Sequence, residues 1–418
     1  MKKFWCIFLI ALLLLGCTPI ADAPVIQVSP EREEPTTAAP SPSDTPEPTA
    51  APTPTPTDTP APTLSPEERL MRYVESMSLE ERIGQLCMFG FTGTSDVDAA
   101  YAKILKTYHI GNVILFGQNI SRTDSDGGFS RCAALCEKAR AACGGEIPIL
   151  ISIDVEGGKV KRFRWGERLA SAEALGRKND EDAAYEQFRY IGEGLKNAGI
   201  NTNLAPCLDI CTSPSESFLG TRILSSDAEI AAKIGRACVE GLHESGCLSF
   251  VKHFPGHGGA SEDPHEQTLT VDRTLDEFLR YESIPFEAAL EEADGVMVAH
   301  VYYPDIDETW IASQSETFIT GLLRETYGFS GVVMSDDFRM AGLTNKTSVG
   351  EAAVRFILAG GDLILCGTNA GYQKQIVNGL MNAVDVGTIP LERLNESVCR
   401  ILTAKMHATG WSPFDGID

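Results

Sequence analysis

The chain has 418 residues, of which 43% are hydrophobic and 22% charged, and its 58 acidic and 35 basic residues give a formal net charge of −23. An acidic balance of this size argues against a nucleic-acid-binding protein, which would normally present a basic surface. The length fits one large α/β barrel or two or three domains of average size.

The N-terminal segment has the pattern of a bacterial export signal. Two lysines follow the initiating methionine and precede an apolar run over residues 4–15, which is too short to cross a bilayer comfortably as a helix. The run ends in Leu-Leu-Gly-Cys, which resembles a lipobox, where cleavage precedes a cysteine that then receives lipid. We therefore expect a signal peptide over residues 1–16 and a lipidated Cys17 that anchors an extracytoplasmic protein to the cell membrane. Plain secretion and an uncleaved anchor are the alternatives.

A stretch rich in proline and threonine follows this signal. Of the 23 prolines, 13 lie between Pro24 and Pro66, and few large apolar side chains accompany them to offset the entropy of ordering. We predict a disordered linker over residues 17–66, one folded domain over 67–412 and a short tail over 413–418. About 45 linker residues at roughly 3.1 Å each span on the order of 140 Å, enough to hold the domain well away from a membrane.

Short apolar runs alternate with helical patterns through the rest of the chain. Eight runs have the composition of strands, and they are Gln85–Phe91, Asn112–Phe116, Ile147–Ile153, Thr202–Ala205, Ser249–Lys252, Gly295–Ala299, Gly331–Met334 and Asp362–Leu365. Segments such as 180–198, 227–245 and 275–292 carry Ala, Leu and Ile at helical spacing. Eight strand–helix repeats predict an α/β fold, a closed (β/α)₈ TIM barrel. An open doubly wound sheet is the alternative.

The cysteines do not form a recognisable disulfide framework. Of the 12 in the chain, Cys6 would leave with the signal peptide and Cys17 would carry lipid. The remaining ten fall mostly in helical or strand patterns, and no C-x-x-C pair suggests a zinc site. We expect most of them to be free core residues.

Polar side chains follow five consecutive predicted strands. Asp154 follows the third and Asp209 the fourth, the fifth ends in residues 252–258 (KHFPGHG), the sixth in His300 and the seventh in Asp336. Active sites of such barrels are built at the C-terminal ends of the strands. These residues should therefore meet at one rim of the barrel.

Two of these regions contain candidates for acid–base or nucleophilic chemistry. Asp336 follows a buried apolar run, and a carboxylate there can be a nucleophile, a metal ligand or a structural acceptor. Strand alternation should turn its neighbour Asp337 elsewhere. In the Gly-rich loop after the fifth strand, Pro264 biases Asp263 towards an extended conformation, so that Asp263 can orient His265 as a general acid/base. A loop salt bridge is the alternative for this pair.

Several cations near the same rim suit a polyhydroxylated ligand, and they are Arg162, Arg222, Lys252 and His253. Asp154 can accept hydrogen bonds from two sugar hydroxyls while the cations donate. A metal site built from histidines and Asp336 is a further alternative. No closely spaced pair of histidines follows the first strand, so we expect neither a metal nor a cofactor.

Together the motifs resemble the β-N-acetylhexosaminidases of glycoside hydrolase family 3. The segment KHFPGHG at 252–258, followed by Asp-Pro-His at 263–265, is similar to the family signature. Five further blocks occur in the family's order, and they are 111–119 (GNVILFGQN), 154–164 (DVEGGKVKRFR), 203–209 (NLAPCLD), 297–305 (MVAHVYYPD) and 331–337 (GVVMSDD). The resemblance covers the chain from about Leu79 to Gly410.

This resemblance implies a retaining exo-β-N-acetylglucosaminidase that releases terminal, non-reducing N-acetylglucosamine from peptidoglycan fragments or chitooligosaccharides. By motif position, Asp336 would be the nucleophile that forms a glycosyl-enzyme, and His265 would be the acid/base, paired with Asp263. The substrate-binding residues implied are Asp154, Arg162, Arg222, Lys252 and His253. The expected partners are a small carbohydrate and, through the N-terminal lipid, a membrane, with the protein itself a monomer.

The sequence departs from the family pattern at several positions. Val155 stands where the family usually has Gln, Lys159 where it often has Arg, and Pro264 where a small hydroxyl residue is common. The block around Arg222 lacks the Asp and Ser-Phe that usually surround the arginine. The chain ends at Asp418, soon after the last barrel helix, so we do not expect the second domain of many family 3 β-glucosidases.

Three other functions remain open at this point. A histidine acid/base tolerates an anionic acceptor better than a carboxylate does, which would suit a phosphorylase. Substrate-assisted hydrolysis would use Asp336 and Asp337 as acid and acetamido-orienting group. A non-catalytic glycan-binding barrel has no need of Asp263, His265 and Asp336 together, which argues against it.

Overall fold

The computed structural model describes residues 64–215, 217–258, 268–344 and 347–414. The predicted signal peptide with Cys17, nearly all of the linker, and the predicted acid/base pair Asp263 and His265 lie outside these described residues. Among the described helices, none combines the length and the apolar character needed to cross a bilayer.

Eight parallel strands form a barrel at the centre of the domain. Numbered in chain order together with a separate parallel pair, β6 and β8, the strands are β1 (Cys87–Gly90), β2 (Asn112–Leu115), β3 (Leu150–Ile153), β4 (Thr202–Asn203), β5 (Leu248–Phe254), β6 (Leu269–Thr270), β7 (Gly295–Val298), β8 (Val301–Tyr302), β9 (Val332–Ser335) and β10 (Ile364–Cys366). Their order around the barrel is β10-β1-β2-β3-β4-β5-β7-β9. A bridge between Met334 and Leu363 joins the two ends, and the Ser335 amide donates to the Leu363 carbonyl at 2.9 Å.

All eight predicted strands are therefore confirmed, and the barrel excludes the open sheet. The strands read as continuous apolar runs because both faces are covered: every residue of β1, β2, β3 and β9 is buried, as expected when helices cover a parallel sheet. Asn112 is a buried polar exception in β2. Its side-chain amide donates to the carbonyls of Gln85 and Cys87, at 2.7 and 3.2 Å.

Helices surround the barrel, and in chain order they are α1 (Pro66–Ser76), α2 (Leu79–Gln85), α3 (Ala99–Thr107), α4 (Phe129–Cys143), α5 (Ala172–Lys178), α6 (Glu181–Asn197), α7 (Ala228–Ser245), α8 (Leu275–Arg280), α9 (Ile284–Leu290), α10 (Ala341–Thr344), α11 (Val349–Leu358), α12 (Ala370–Asp385) and α13 (Leu391–Thr409). A π-helix covers Thr317–Thr326. Serine or threonine with a glutamate three residues later caps α1, α2, α8 and α11, so the sequence itself sets these helix starts.

One predicted helix differs from the structure, and two short strands were missed. Residues 275–292 form two helices instead of one, because α8 ends at Arg280 and α9 begins at Ile284 with Pro285 in its first turn. A proline has no N–H for a helix interior but is tolerated in a first turn. The two-residue strands β6 and β8 were not predicted, since such short segments carry no periodic signal.

All ten cysteines from Cys87 to Cys399 are free thiols, and nine of them are buried, which confirms the expectation of free core residues. Burial raises the pKa of the Cys143 and Cys247 thiols to about 12. Thiols with such raised pKa values are not nucleophilic at neutral pH. These cysteines therefore act as small core residues.

Candidate active site

A cavity of about 310 Å³ opens at the C-terminal ends of the strands, a volume at the lower end of the range for small-molecule sites. Six of the eight residues predicted for catalysis or substrate binding line it, and they are Asp154, Arg162, Arg222, Lys252, His253 and Asp336. The other two, Asp263 and His265, lie outside the described residues. The prediction that side chains at the ends of β3, β5 and β9 meet at one rim is thus confirmed for Asp154, Lys252 and Asp336.

Asp154, which directly follows β3, is held by two cations. Lys252 Nζ contacts its Oδ1 at 2.7 Å and Arg162 Nη2 contacts its Oδ2 at 2.9 Å. Burial alone would raise the pKa of Asp154, but attraction to Lys252 and Arg162 outweighs it and holds the pKa well below its ordinary value. Each carboxylate oxygen is a strong acceptor with further lone-pair capacity, so Asp154 can still bind hydroxyl groups.

A second buried carboxylate, Glu156, shares Lys252 with Asp154. Lys252 Nζ lies 2.7 Å from Glu156 Oε1, and Arg222 binds Glu156 through Nε and Nη2 at 2.8 and 2.9 Å. Burial opposes ionisation of Glu156, but the two cations lower its pKa to about 2. One signal in the sequence pointed to Glu156, its place two residues after Asp154, but no pattern paired it with Arg222.

Gly157 allows the turn that carries Glu156 into the cavity. Its φ is +95°, and a Cβ there would lie 2.2 Å from the Ala170 carbonyl oxygen. A side chain at this position would therefore force the turn to move. Arg162, at the far side of the same turn, has a φ of +47°, and its Nε donates to the Asp154 carbonyl at 3.2 Å.

Asp209, which was not assigned a role from the sequence, organises the two histidines of the KHFPGHG segment. Its Oδ2 accepts from the amide and Nδ1 of His253 at 2.9 and 2.7 Å. Its Oδ1 accepts from the amide and Nδ1 of His257 at 2.9 and 2.7 Å. These two bonds fix the orientation of the His257 ring against Asp209.

The contacts of His253 define its protonation. Its Nδ1 faces the Asp209 carboxylate, and its Nε2 lies 3.3 Å from Arg222 Nη2. A guanidinium only donates, so Nε2 accepts and Nδ1 carries the proton, which is the neutral tautomer. Burial lowers the pKa of His253 in spite of the attraction to Asp209, in agreement with this assignment.

One group of residues has the composition of a metal site. Ligand atoms of Cys207, Asp209 and His253 lie within 4.8 Å of one another. Both oxygens of Asp209 are already engaged by four N–H donors, and the Cys207 thiol donates to Oδ2 at 3.3 Å. Hydrogen bonding accounts for this cluster, so we assign it no metal.

Asp336 emerges from the end of β9 on the opposite side of the cavity mouth. Its amide donates to the Val298 carbonyl at 3.0 Å, and its Oδ1 accepts from the Asp337 amide at 2.7 Å. Burial disfavours its charged form, but the nearby imidazole rings of His253 and His300 and the hydrogen bond from the Asp337 amide hold the pKa of Asp336 below its ordinary value. Asp336 is therefore an ionised carboxylate at neutral pH.

The neighbouring Asp337 lines the same cavity, contrary to the expectation from strand alternation, but its carboxylate has different partners. It binds Arg339 through Nη2 and Nε at 2.6 and 2.9 Å and accepts from the Gly367 amide at 3.0 Å. His300, at the end of β7, bonds Ser313 Oγ through Nδ1 at 2.7 Å. Its Nε2 is buried and has no hydrogen-bond partner among the residues that the structure describes.

An ionised carboxylate facing a cluster of sugar-compatible donors and acceptors in a barrel mouth is an arrangement suited to a glycoside hydrolase. The chain belongs to glycoside hydrolase family 3, because the sequence profile described as "Glycosyl hydrolase family 3 N terminal domain" matches residues 78–404.

Named relatives agree with this assignment. The chain is 30% identical to "Beta-hexosaminidase LpqI" of Mycobacterium tuberculosis over 337 residues, 79% of this chain and 83% of that protein. It is 33% identical to "Beta-hexosaminidase" of Idiomarina loihiensis over 290 residues, 68% of this chain and 84% of that protein.

Solved structures give the same result. A family 3 β-N-acetylglucosaminidase from Paenibacillus sp. str. FPU-7 superposes with a TM-score of 0.75 and is 36% identical in sequence. The match covers 80% of this chain and 63% of the Paenibacillus chain, so this chain spans under two thirds of that protein. The M. tuberculosis LpqI structure has a TM-score of 0.70 and 30% identity, covering 80% of this chain and 96% of its own. The protein is thus a glycoside hydrolase of the β-hexosaminidase type.

Proposed function

We propose that the protein is a retaining exo-β-N-acetylglucosaminidase that acts on peptidoglycan fragments or chitooligosaccharides. One observation carries the proposal: the ionised carboxylate of Asp336 lines the same cavity as the hydrogen-bonding cluster around Asp154 and Lys252. A nucleophile must be ionised and must face the bound sugar. Asp336 is ionised at neutral pH and lines the cavity in which the sugar would bind.

The sugar ring is held by the cluster from β3 and β5. Asp154 accepts hydrogen bonds from sugar hydroxyls, while Arg162, Arg222 and Lys252 donate. Because Lys252 is only 2% exposed and pairs with both carboxylates, its ammonium group keeps the two acids ionised and their oxygens oriented before substrate arrives. Such preorganised dipoles and charges need no rearrangement during the reaction.

The reaction proceeds by two displacements at the anomeric carbon. Asp336 attacks this carbon and forms a glycosyl ester, while the bond to the aglycone oxygen breaks and His265 donates a proton to that oxygen. Water, deprotonated by His265, then attacks the same carbon and releases Asp336. Two inversions give net retention. Asp263 orients the imidazole of His265, a role proposed from the sequence alone.

The N-terminal segment gives the protein its proposed location and organisation. Cleavage after residue 16 would leave Cys17 to receive lipid, and the linker over 17–66 would separate the membrane from a monomeric barrel domain over 67–412. The tail would occupy 413–418. The support for this arrangement is the sequence pattern of the leader and the proline content of the linker.

Hydrolysis of a chromogenic N-acetyl-β-glucosaminide tests the proposal. The purified chain should release the chromophore without phosphate, and Asp336→Asn should reduce kcat by a factor of at least about 10³, because no other group replaces the nucleophile. Asp305→Asn, at an exposed position outside the cavity, is the matched control and should keep wild-type kinetics. Turnover that requires phosphate would identify a phosphorylase, and sugar binding without turnover would identify a glycan-binding barrel.

A further inference from the structure

A second cavity lies at the opposite end of the barrel from the candidate active site. Its volume is about 260 Å³, just below the usual range for drug-sized ligands. Gln85, Gly111 and Ile149 line it, and they lie just before β1, β2 and β3 in the chain. Because the strands are parallel, these residues are at the end of the barrel remote from Asp336. The cavity therefore has room for a separate ligand of the size of an amino acid.

The inner part of this cavity presents a buried hydrogen-bond donor. Gln85 is only 5% exposed, and its Oε1 accepts a hydrogen bond from Lys405 Nζ, which also donates to the Gly111 carbonyl at 2.9 Å. Since the lysine donates, the oxygen of the Gln85 carboxamide faces Lys405 and the NH₂ group faces the cavity. No residue that the structure describes accepts a hydrogen bond from this NH₂ group. A buried amide donor of this kind favours a ligand that brings an acceptor.

Two carboxylates line the same cavity. Glu81 precedes Gln85 by four residues in α2, so the two side chains are neighbours on one face of the helix, about 5–6 Å apart at Cβ. Oε2 of Glu81 accepts from the amide and Oγ of Ser78, at 2.9 and 2.8 Å, which leaves Oε1 for a ligand. Glu146 is exposed at the rim. The two carboxylates can therefore share one positively charged group.

Tyr73 lies beside both of these carboxylates. Burial raises the pKa of Tyr73, and the charges of Glu146 and Glu81 raise it further, so the phenol stays protonated at neutral pH. His109 is at the exposed rim, and no lysine or arginine is among the described residues that line the cavity. The carboxylates therefore favour a cationic ligand and disfavour an anionic one.

Apolar side chains form the rest of the wall. They are Met77, Ile110, Ile147 and Ile149, of which Ile147 is half-buried and the other three are buried. Apolar surface of this kind binds aliphatic groups through the hydrophobic effect. The cavity thus suits a ligand that combines a cation, a hydrogen-bond acceptor and an aliphatic side chain.

We propose that this cavity binds an aliphatic α-amino carbonyl group, as found in an amino-acid amide or in the first residue of a peptide. Its ammonium group would lie between Glu81 and Glu146, and its carbonyl oxygen would accept from Gln85 Nε2. This arrangement suits the close spacing of Glu81 and Gln85, because a single carbon separates the two ligand groups. The site shares no residue with the proposed reaction, so it stands independently of the proposed function.

Binding of leucinamide, measured by isothermal titration calorimetry on the whole chain, tests the proposal. Three analogues each change one group: N-acetyl-leucinamide has no ammonium group, 3-methylbutylamine has no carbonyl group, and leucine has a carboxylate in place of the amide. The peptide Leu-Gly-Gly presents the same first residue at the start of a chain. A repeat with excess N-acetylglucosamine separates this site from the candidate active site.

Three variants examine the contacts. Glu81→Gln combined with Glu146→Gln removes both charges, and glutamine preserves the cap of α2. Gln85→Glu keeps an oxygen towards Lys405 but replaces the NH₂ donor by an acceptor. Glu80→Gln is the matched control, because Glu80 is exposed on the same helix and lies outside the cavity.

Wild type should bind one leucinamide with a Kd of about 1 mM, as expected of a ligand with few atoms. Each analogue should bind at least about fivefold more weakly, the size of one hydrogen bond or of a pair of exposed ionic contacts. The double variant should raise the Kd about fivefold, and Glu80→Gln should leave it within about twofold. Gln85→Glu should abolish the preference for leucinamide over 3-methylbutylamine. Equal affinity for Leu-Gly-Gly would identify a peptide as the source of the ligand, and weaker binding a free amino-acid derivative.

Several results would overturn the proposal. They are an absence of saturable binding below about 50 mM, equal binding of N-acetyl-leucinamide, an unchanged Kd in the double variant, and displacement by N-acetylglucosamine. An undiminished preference in folded Gln85→Glu would overturn it as well. The double variant changes groups towards the rim and should keep a melting temperature near that of wild type, so the test holds even if Gln85→Glu does not fold.

Discussion

Replacing Asp209 by asparagine tests how the barrel prepares the site. Asp209 is buried, and each of its two oxygens accepts two N–H groups, one pair from His253 and the other from His257. An asparagine side chain keeps one oxygen and presents an NH₂ group to the other pair. Two charge-assisted bonds are therefore lost at one of the histidines, and donors then face donors.

The structure sets the expected size of the effect. Each hydrogen bond to a charged group contributes about 1.5–3 kcal/mol, so the free energy of unfolding should fall by roughly 3–6 kcal/mol, a large part of the usual 5–15 kcal/mol. His253 also contacts Arg222, which holds Glu156. A displacement of about 1 Å in such a site costs on the order of a hundredfold in rate, and we expect this loss in kcat/KM.

The assay combines urea unfolding, followed by tryptophan fluorescence, with hydrolysis of the chromogenic substrate at low temperature, where the variant is folded. Asp294→Asn is the matched control, since Asp294 also accepts from a histidine and an amide, His243 Nε2 at 2.7 Å and Ser249 N at 2.9 Å, but lies outside the cavity. It should lose less stability and keep kcat/KM within about twofold. If folded Asp209→Asn also keeps kcat/KM within about twofold, the organising role of Asp209 is refuted.

Three further predictions concern charged groups whose contacts are defined. Lys252→Met removes the cation shared by Asp154 and Glu156 and should lower the free energy of unfolding by about 3–5 kcal/mol, measured in urea; wild-type stability would contradict it. Burial lowers the pKa of Lys405 to about 7, so wild-type stability should fall as pH drops from about 10 to 7, by up to about 1.4 kcal/mol per unit. The stability curve of Lys405→Met should be flatter over this range, and parallel curves would argue against a neutral buried lysine. The hydrogen bond to Asp294 raises the pKa of His243, so its contribution is present below about pH 6.5 and lost as pH rises through the raised pKa. His243→Gln should therefore destabilise the protein more at pH 5.5 than at pH 9, and equal losses in melting temperature would contradict this.

The barrel could be predicted from sequence because each strand is buried on both faces and so appears as an apolar run. Asp154, Lys252 and Asp336 could also be predicted as residues of the rim, because they lie at the ends of β3, β5 and β9. The position of a residue along a strand determines whether it reaches the rim of the barrel. Pro285, whose effect on residues 275–292 depends on where the chain turns between α8 and α9, shows the limit of periodicity.

Pairing between distant residues could not be predicted. Glu156 and Arg222 are 66 positions apart, and Asp209 and His253 are 44 apart, so no local pattern shows that they meet. The position of Arg339 over Phe116 likewise depends on closure of the barrel through β10 and β1. Sequence located the residues at the rim, and the structure determined which of them share hydrogen bonds.

Covalent trapping tests the central claim most directly. Incubation with a slow 5-fluoro-N-acetylglucosaminyl donor, followed by peptide mass spectrometry, should show one glycosyl group esterified to Asp336, and Asp336→Asn should remain unlabelled. Labelling of another carboxylate, or continued turnover without any adduct, would contradict Asp336 as the nucleophile of a retaining enzyme.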